Sequence, residues 1–211
     1  MKKYLFILMA ITAWNPSPAQ EDPEAVMILD RFSNAVKAAP SISMEFFMTT
    51  TDLPENRTDT LTGAIVISGD KYRLTMPEST TWFNGTDNWN YMPSVKEVTI
   101  TRPSPDDISF FSKPSLLFGM YRQDYKARLT DQTSSEWIID LYPNDIKSDM
   151  IRVRLSIGKQ GLDLRTAEYK TRNGLTIRLD IRQYNLKFKP DSKYFDFNPA
   201  AYKGVEIIDM R

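Results

Sequence analysis

The sequence predicts a mainly β fold with some α-helix, and three observations lead to that prediction. From Ile42 onward, apolar and polar residues alternate in segment after segment, which is the period of a strand with one buried face. Short turn sequences such as Ser68-Gly69-Asp70 and Asn173-Gly174 separate these segments, so consecutive strands should pair antiparallel. Ahead of the first strand, apolar residues recur at helical spacing instead.

The first 19 residues have the features of a secretory signal peptide. Lys2 and Lys3 precede an apolar run, and the small residues Ser17-Pro18-Ala19 end it. The run is too short to span a bilayer, although an uncleaved membrane anchor remains the alternative. We expect cleavage after residue 19, or after Gln20, and export to the periplasm. Residues 20–211 should form one domain, since no linker, repeat or low-complexity tract divides them.

Composition excludes several kinds of chemistry. The chain has no cysteine and no histidine, so disulfide bonds, a lipid-modified cysteine, thiolate catalysis, a Ser-His-Asp triad and histidine-liganded zinc are all excluded. No glycine-rich phosphate loop or calcium loop is present, and we expect no cofactor and no resident metal. Asp106-Asp107, or Glu97 with another carboxylate, could form an acid/base pair, but adjacent carboxylates in a first helical turn more commonly cap the helix.

Charge is distributed unevenly in a chain that is neutral overall, with 27 basic and 27 acidic residues. Acidic residues dominate residues 21–107, and basic residues dominate residues 150–189. Either this dipole steers transfer between charged partners, or the charges are the solvent-facing positions of strands. The second interpretation is favoured by Arg152, Arg154, Arg178 and Arg182, which alternate with apolar residues. Export and the absence of a basic run interleaved with aromatics argue against a nucleic-acid partner.

The predicted helix begins at Asp22-Pro23, where aspartate caps free amides and proline fits the first turn. It ends at Ala39-Pro40. The alternation then predicts roughly eleven strands. In the last of the long strands the apolar phase shifts by one residue after Ile181, which predicts a β-bulge near Arg182-Gln183. We expect the polar segment from Asp52 to Thr60 to form a loop, and Leu162 to share a strand face with Leu164.

The stretch from Trp82 to Ile100 predicts strand, turn, strand, turn and strand, with Asn84-Gly85 as a two-residue hairpin turn. Its Gly, Trp-x-Tyr-x-Pro and Glu-Val elements resemble the hairpin of the LolA-like outer-membrane lipoprotein carriers. The order of helix, strands, a Pro-Ser-Leu-Leu helix, further strands and a final strand also resembles that family over nearly the whole chain after residue 19.

The resemblance implies an incomplete antiparallel barrel of about eleven strands with a lid of short α-helices, two of them between Arg102 and Arg122. It implies a carrier that takes acylated lipoproteins from an inner-membrane lipoprotein-release ABC transporter to the outer membrane, where a receptor can accept them. Family members hold the lid shut through an arginine in the second strand. The matching position here is Ser68, so we expect the latch to be absent or supplied elsewhere, for example by Arg73.

Apolar residues on the inner sheet face and on the lid should bind the acyl chains, since methionine-rich surfaces adapt to flexible ligands. The predicted lipid-binding residues are Leu29, Phe32, Val36, Met44, Phe46, Ile67, Tyr72, Leu74, Trp89, Tyr91, Val98, Leu117 and Met120. We expect a monomer that is not an enzyme. Two alternatives remain open: a sensor or carrier of another lipid or glycolipid on the same fold, and an envelope hydrolase that uses paired carboxylates.

Overall fold

The computed structural model describes residues 22–103, 115, 118–122 and 124–211, without the side chain of Met120. Among these residues, the one α-helix, α1 (Pro23–Ala38), begins where the sequence predicts. One carboxylate oxygen of Asp22 accepts the amides of Glu24 and Ala25 at 3.0 and 3.2 Å. The other oxygen accepts the amide of Leu129 at 3.0 Å, so the same side chain caps the helix and ties it to the sheet. No helix in these ranges is long and apolar enough to cross a membrane.

The strands form one open sheet in the order β12-β6-β5-β4-β3-β2-β1-β11-β10-β9-β8-β7. All neighbours pair antiparallel except β12, which runs parallel to β6. The described residues thus contain twelve strands, one more than predicted, with β12 and β7 at the open edges. The strands are β1 Ile42–Asp52, β2 Arg57–Ser68, β3 Lys71–Met76, β4 Ser79–Phe83, β5 Asn88–Met92, β6 Glu97–Thr101, β7 Tyr125–Gln132, β8 Glu136–Pro143, β9 Met150–Gly158, β10 Leu164–Thr171, β11 Leu175–Asn185 and β12 Glu206–Asp209. Within the described residues, 3₁₀ turns lie at Met120–Arg122 and Pro199–Ala201.

The predicted β-bulge is present in β11. Glu45 of β1 pairs with Gln183, and the next residue, Phe46, pairs with Ile181, so Arg182 is the extra residue. A second bulge lies in β10, where Leu164 pairs with Ile157 and Thr166 pairs with Ser156. The extra residue there is Arg165. Both bulges bend the strands that form one wall of the half-barrel.

Three local predictions are wrong. Residues 57–60 extend β2 and pair with β1, because threonine hydroxyls bond across the strands, as between Thr49 and Thr60. Asn84 and Gly85 lie in a four-residue connection in which the Asn84 side chain accepts two backbone amides. Leu162 lies in a turn at φ 51°, ahead of β10.

Apolar residues pack on both sides of the sheet. We call the face that carries Met44, Ile67 and Leu155 the inner face, and the opposite one the outer face. The inner cluster joins α1 to the inner face of β1–β3 and β7–β11. The outer cluster consists of Trp82, Val98, Ile100 and Phe197, with Trp89, Tyr91, Tyr202 and Val205 packed against it.

The arginines of β9 and β11 lie on the outer face, as strand alternation predicts. Arg154 donates to both carboxylate oxygens of Asp140, at 2.6 and 2.8 Å, although Asp140 is only 1% exposed. Arg178 donates to Asp180 at 2.8 Å. These residues therefore form ion pairs across the solvated face of the sheet, and the pairing lets Asp140 be buried.

Candidate functional site

A cavity of about 180 Å³ lies on the inner face of the sheet. Strands β1, β2 and β3 form one side, strands β10 and β11 the other, and Phe118 approaches from the segment between β6 and β7. Its lining is apolar except for the hydroxyl of one tyrosine. The lining residues are Met44, Phe46, Met48, Ile65, Ile67, Leu74, Met76, Phe118, Leu164, Tyr169, Ile177, Leu179 and Ile181.

One inward position of the sheet has no side chain, and this creates space for its neighbours. A Cβ atom on Gly63 would lie 2.5 Å from the ring of Phe46 and 2.6 Å from the sulfur of Met76. Glycine therefore allows both side chains to cross the sheet surface at this point. Three of the lining residues, Met44, Met48 and Met76, are unbranched thioethers that can change rotamer to fit a ligand.

Burial raises the pKa of the Tyr169 hydroxyl well above 10, and the nearby Tyr125 raises it further. Because the shift favours the neutral phenol, the cavity carries no charge from its lining at physiological pH. An uncharged, mainly apolar surface of this kind suits hydrocarbon.

The segment that carries Phe118 is anchored to α1 by three contacts. The rings of Phe118 and Phe32 lie 5.7 Å apart. The Tyr121 hydroxyl and the Arg122 guanidinium both donate to one carboxylate oxygen of Asp30, each at 2.6 Å. Burial and the Asp30 carboxylate raise the pKa of Tyr121, so the phenol stays protonated as a donor. We call these contacts the Asp30 clamp.

Two further hollows adjoin the cavity. One of about 370 Å³ lies between the end of α1 and the β2–β3 turn, and it shares Ile67 and Phe118 with the cavity. The other, of about 470 Å³, lies beside the β11 bulge and shares Leu164 and Ile181 with the cavity. The side chain of Phe118 therefore stands between the cavity and the first hollow.

The structure brings some of the predicted lipid-binding residues to this cavity and places others elsewhere. Met44, Phe46, Ile67 and Leu74 line it. The helix residues Leu29, Phe32 and Val36, together with Tyr72, are buried in the inner cluster without lining the cavity. Leu117 lies outside the described residues. Met120 begins a 3₁₀ turn, and most of the two helices predicted between Arg102 and Arg122 also lies outside the described residues.

Trp89, Tyr91 and Val98 lie on the outer face and do not reach the cavity. Trp89 pairs with Trp82, which is adjacent in sequence to the inward residue Phe83, so Trp89 shares the outer face with Trp82. The residues after β11 cover this face, and Tyr202 meets Tyr91 edge to face at 4.8 Å between ring centres. The alternation in β5 and β6 is as predicted, but its apolar side is the outer one.

Several lining residues were not among the predicted set, mainly Ile177, Leu179 and Ile181 of β11 and Leu164 and Tyr169 of β10. Their alternation is clear in the sequence, and β11 lies beside β1 in the sheet. The predicted bulge could have identified them. Beside it Phe46 pairs with Ile181, which places the inward residues of β11 next to those of β1.

Arg73 does not latch the lid. It lies on the outer face, with its guanidinium 5.3 Å from the centre of the Trp82 ring and 5.2 Å from that of Tyr194. Strand alternation explains this position, because Arg73 lies between the inward residues Tyr72 and Leu74. The Asp30 clamp is the contact that holds the described part of the segment against the helix.

Throughout the described ranges, no three Asp or Glu side chains come together as ligands for a metal ion. The acidic pair Asp106-Asp107 lies outside those ranges. Glu97 is in β6, where its carboxylate accepts the Thr99 hydroxyl at 3.2 Å.

Several solved structures are similar to this one. A solved structure of an uncharacterized conserved protein from Thermus thermophilus superposes with a TM-score of 0.58 at 12% identity, over 88% of this chain and 99% of that chain. A LolA superfamily protein from Nitrosomonas europaea gives 0.42 at 15% identity, over 81% of this chain and 96% of that one. A putative outer membrane lipoprotein-sorting protein domain from Vibrio parahaemolyticus gives 0.44 at 10% identity, over 82% and 97%.

No curated protein sequence matches the chain. The family described as outer membrane lipoprotein carrier protein LolA matches residues 16–174, which is most of the chain. The open sheet, with its apolar inner face covered by α1, agrees with that match. The chain therefore belongs to the LolA outer membrane lipoprotein carrier family.

Proposed function

We propose that this protein is an exported carrier that binds the acyl chains of lipoproteins in the inner-face cavity and takes them from the inner to the outer membrane. The observation that supports this most directly is the apolar, methionine-lined cavity on the inner face of a sheet of this family. The role is binding and release, with no catalytic step, and the carrier acts as a monomer.

The energetics of acyl chains explain why a carrier is needed. Each buried CH₂ is worth about 0.8 kcal/mol, so one sixteen-carbon chain exposed to water costs on the order of 12 kcal/mol. A carrier must shield most of this surface and still release it. Adaptable contacts through Met44, Met48 and Met76 serve both needs better than a rigid fit.

The cavity must enlarge to hold such chains. Its volume of about 180 Å³ is below the roughly 300–1,000 Å³ typical of small-molecule sites. Displacement of Phe118 would join it to the adjacent hollow of about 370 Å³, and rotation of the methionines would widen it further. We infer that loading moves the segment held by the Asp30 clamp away from α1.

The proposed partners follow from this role. An inner-membrane lipoprotein-release ABC transporter supplies the acylated protein, and the outer membrane, with a receptor where one exists, accepts it. Cleavage of residues 1–19 during export would place the carrier in the periplasm between the two.

Mass spectrometry of the protein purified from its native periplasm tests the proposal. We expect acylated lipoproteins to copurify with it. Free lipid alone would instead indicate a lipid carrier or sensor, and the absence of both would contradict a carrier role.

Placing a charge in the cavity tests whether the acyl chains bind there. Met48→Glu places a carboxylate among the half-buried lining residues, and we expect it to abolish copurification while the chain still folds. Met27→Glu is the control, because Met27 is 53% exposed on α1 and outside the cavity. Equal binding by the two variants would show that the cavity is not the site.

A further inference from the structure

The wall of the half-barrel has an opening between β10 and β11. The two strands pair only from Thr166 with Asp180 to Lys170 with Thr176. Strand β11 continues to Asn185 against β1 on its other side, so residues 181–185 have no partner on β10. The hollow of about 470 Å³ fills this gap, and we call it the notch.

The notch adjoins the cavity but has a more polar lining. Leu164 and Ile181 line both spaces. The lining of the notch also includes the basic residues Arg165, Arg182 and Lys187. The apolar cavity therefore lies beside a group of basic side chains, which we call the rim of the notch.

The basic groups are not neutralised equally. Arg165 pairs with Asp163 at 3.3 Å. Arg182 lies over the ring of Phe47, 5.3 Å from its centre. Among the described residues neither Arg182 nor Lys187 forms an ion pair, so one carboxylate in the notch faces three cations.

A buried hydroxyl adds a donor at the same place. Tyr184 lines the notch, and within the described chain its hydroxyl oxygen is buried without a hydrogen-bond partner. Burial and the nearby Asp163 raise the pKa of this phenol above its usual 10. A buried donor that lacks a partner costs stability unless a ligand satisfies it.

We propose that the notch binds an anionic group attached directly to the acyl chains that occupy the cavity. Arg182 and Lys187 hold the anionic group at the rim, and Tyr184 donates to an oxygen of the ligand. Such a group is the phosphate of a phospholipid headgroup, or an acidic side chain next to the acylated residue of a lipoprotein. The inference rests on the proposed acyl-chain site and names the class of ligand that the site selects.

The test compares lipids with identical chains and different heads, using the full mature protein. Binding of dimyristoyl phosphatidylglycerol and of uncharged dimyristoylglycerol is measured by native mass spectrometry and by competition with a fluorescent acyl probe. We expect the wild type to prefer the anionic lipid roughly fivefold. The double variant R182Q/K187Q should lose this preference and keep its affinity for dimyristoylglycerol.

Lys189→Gln is the matched control, because it removes a cation two residues beyond Lys187 that does not line the notch. It should retain the preference. Tyr184→Phe should weaken binding of both lipids, since it removes a hydrogen-bond donor and no charge. Equal affinity of the wild type for both lipids, or an unchanged preference in R182Q/K187Q, overturns the inference and leaves acyl binding standing. If neither lipid binds, acyl-chain carriage fails as well.

A second pair of probes identifies the source of the anionic group. Diacylated cysteinyl peptides with Asp or with Asn at the next position differ only in that charge. A preference for the Asp peptide that R182Q/K187Q removes assigns the notch to lipoproteins. The same preference for phosphatidylglycerol, without one between the peptides, assigns it to phospholipid.

Discussion

The two apolar clusters of this sheet use the same strand alternation to build opposite kinds of interior. The outer cluster is small and largely aromatic: Trp82 meets Phe197 and Tyr202 edge to face, at 5.5 and 5.7 Å between ring centres. The inner cluster is larger and mixes aliphatic, aromatic and methionine side chains around an open cavity. The outer cluster holds the residues after β11 against the sheet, and the inner cluster surrounds a space that a ligand can enter.

Folding stability and ligand binding therefore depend on different faces of one sheet. Tight packing of rings with few rotamers favours a single structure, whereas unbranched side chains beside a void can rearrange at low cost. Mutations in the outer cluster should therefore change folding and not affinity. Mutations in the inner cluster should change affinity with a smaller effect on folding.

The largest effect should come from Trp82→Ala. Trp82 is 3% exposed, and its removal leaves a void against Phe197 and Tyr202, so we expect a loss of about 3–5 kcal/mol in the free energy of unfolding. Urea denaturation measures it. Acyl-probe affinity of the remaining folded protein should equal that of the wild type, and a reduced affinity would mean that the two faces are coupled.

The next effect is expected from Gly63→Ala on the inner face. The added methyl group would meet Phe46 and Met76 and push them into the cavity, at a cost of about 1–3 kcal/mol. We expect the affinity for an acyl probe to fall more than in Trp82→Ala. Thr62→Ala is the control, since Thr62 is the exposed neighbour of Gly63 on the outer face of the same strand. If both variants bind alike, the cavity is not the site of the acyl chain.

The sequence predicts the inner face better than the outer one, for a physical reason. Some predictions depend only on neighbours along the chain or on one strand pair. They are the strand alternation, the helix start at Asp22 and the bulge at Arg182, and they are confirmed. Trp89 and Val98 show the limit of this reasoning. Their shared face is evident from period 2, but which face it is depends on where residues 195–205 pack.

The loops show a similar limit. Residues 57–60 are polar and typical of a loop, yet they form a strand because the partner β1 is long enough to pair with them. Likewise, Asn84 forms a wider connection than the two-residue turn because its own side chain satisfies two amides. Pairing partners and side-chain bonds of this kind are set by the tertiary structure, which local spacing does not contain.

A smaller effect, with a pH signature, should come from Asp22→Asn. Partial burial tends to raise the pKa of Asp22, but the amides of Leu129, Ala25 and Glu24 hold it below 3.8. Because the folded-state pKa is lowered, the carboxylate stabilises the protein above pH 3.8, and that contribution is lost as the pH falls below this value. Asparagine keeps the cap and loses one acceptor oxygen, so we expect a cost of about 1 kcal/mol at neutral pH.

Thermal unfolding of both proteins between about pH 3 and 7 checks this prediction. The difference between wild type and variant should be constant above about pH 5 and shrink toward pH 3. A difference that does not change with pH would show that the carboxylate charge is not what anchors α1 to β7.

The smallest effect on stability, and the most informative about the inner face, should come from Asp30→Asn. The Arg122–Asp30 pair is largely exposed, with 59% and 30% of the two side chains accessible, so its loss should cost at most about 1 kcal/mol. The clamp nevertheless holds Phe118 between the cavity and the neighbouring hollow. Weakening it should raise the population of the open segment, which increases hydrogen exchange at residues 118–122 and speeds uptake of an acyl probe.

Arg57→Gln is the control, since it breaks an exposed ion pair with Asp59 away from the clamp. Faster exchange without faster uptake would mean that the acyl chains enter by another route, and the notch between β10 and β11 would then be the opening to test.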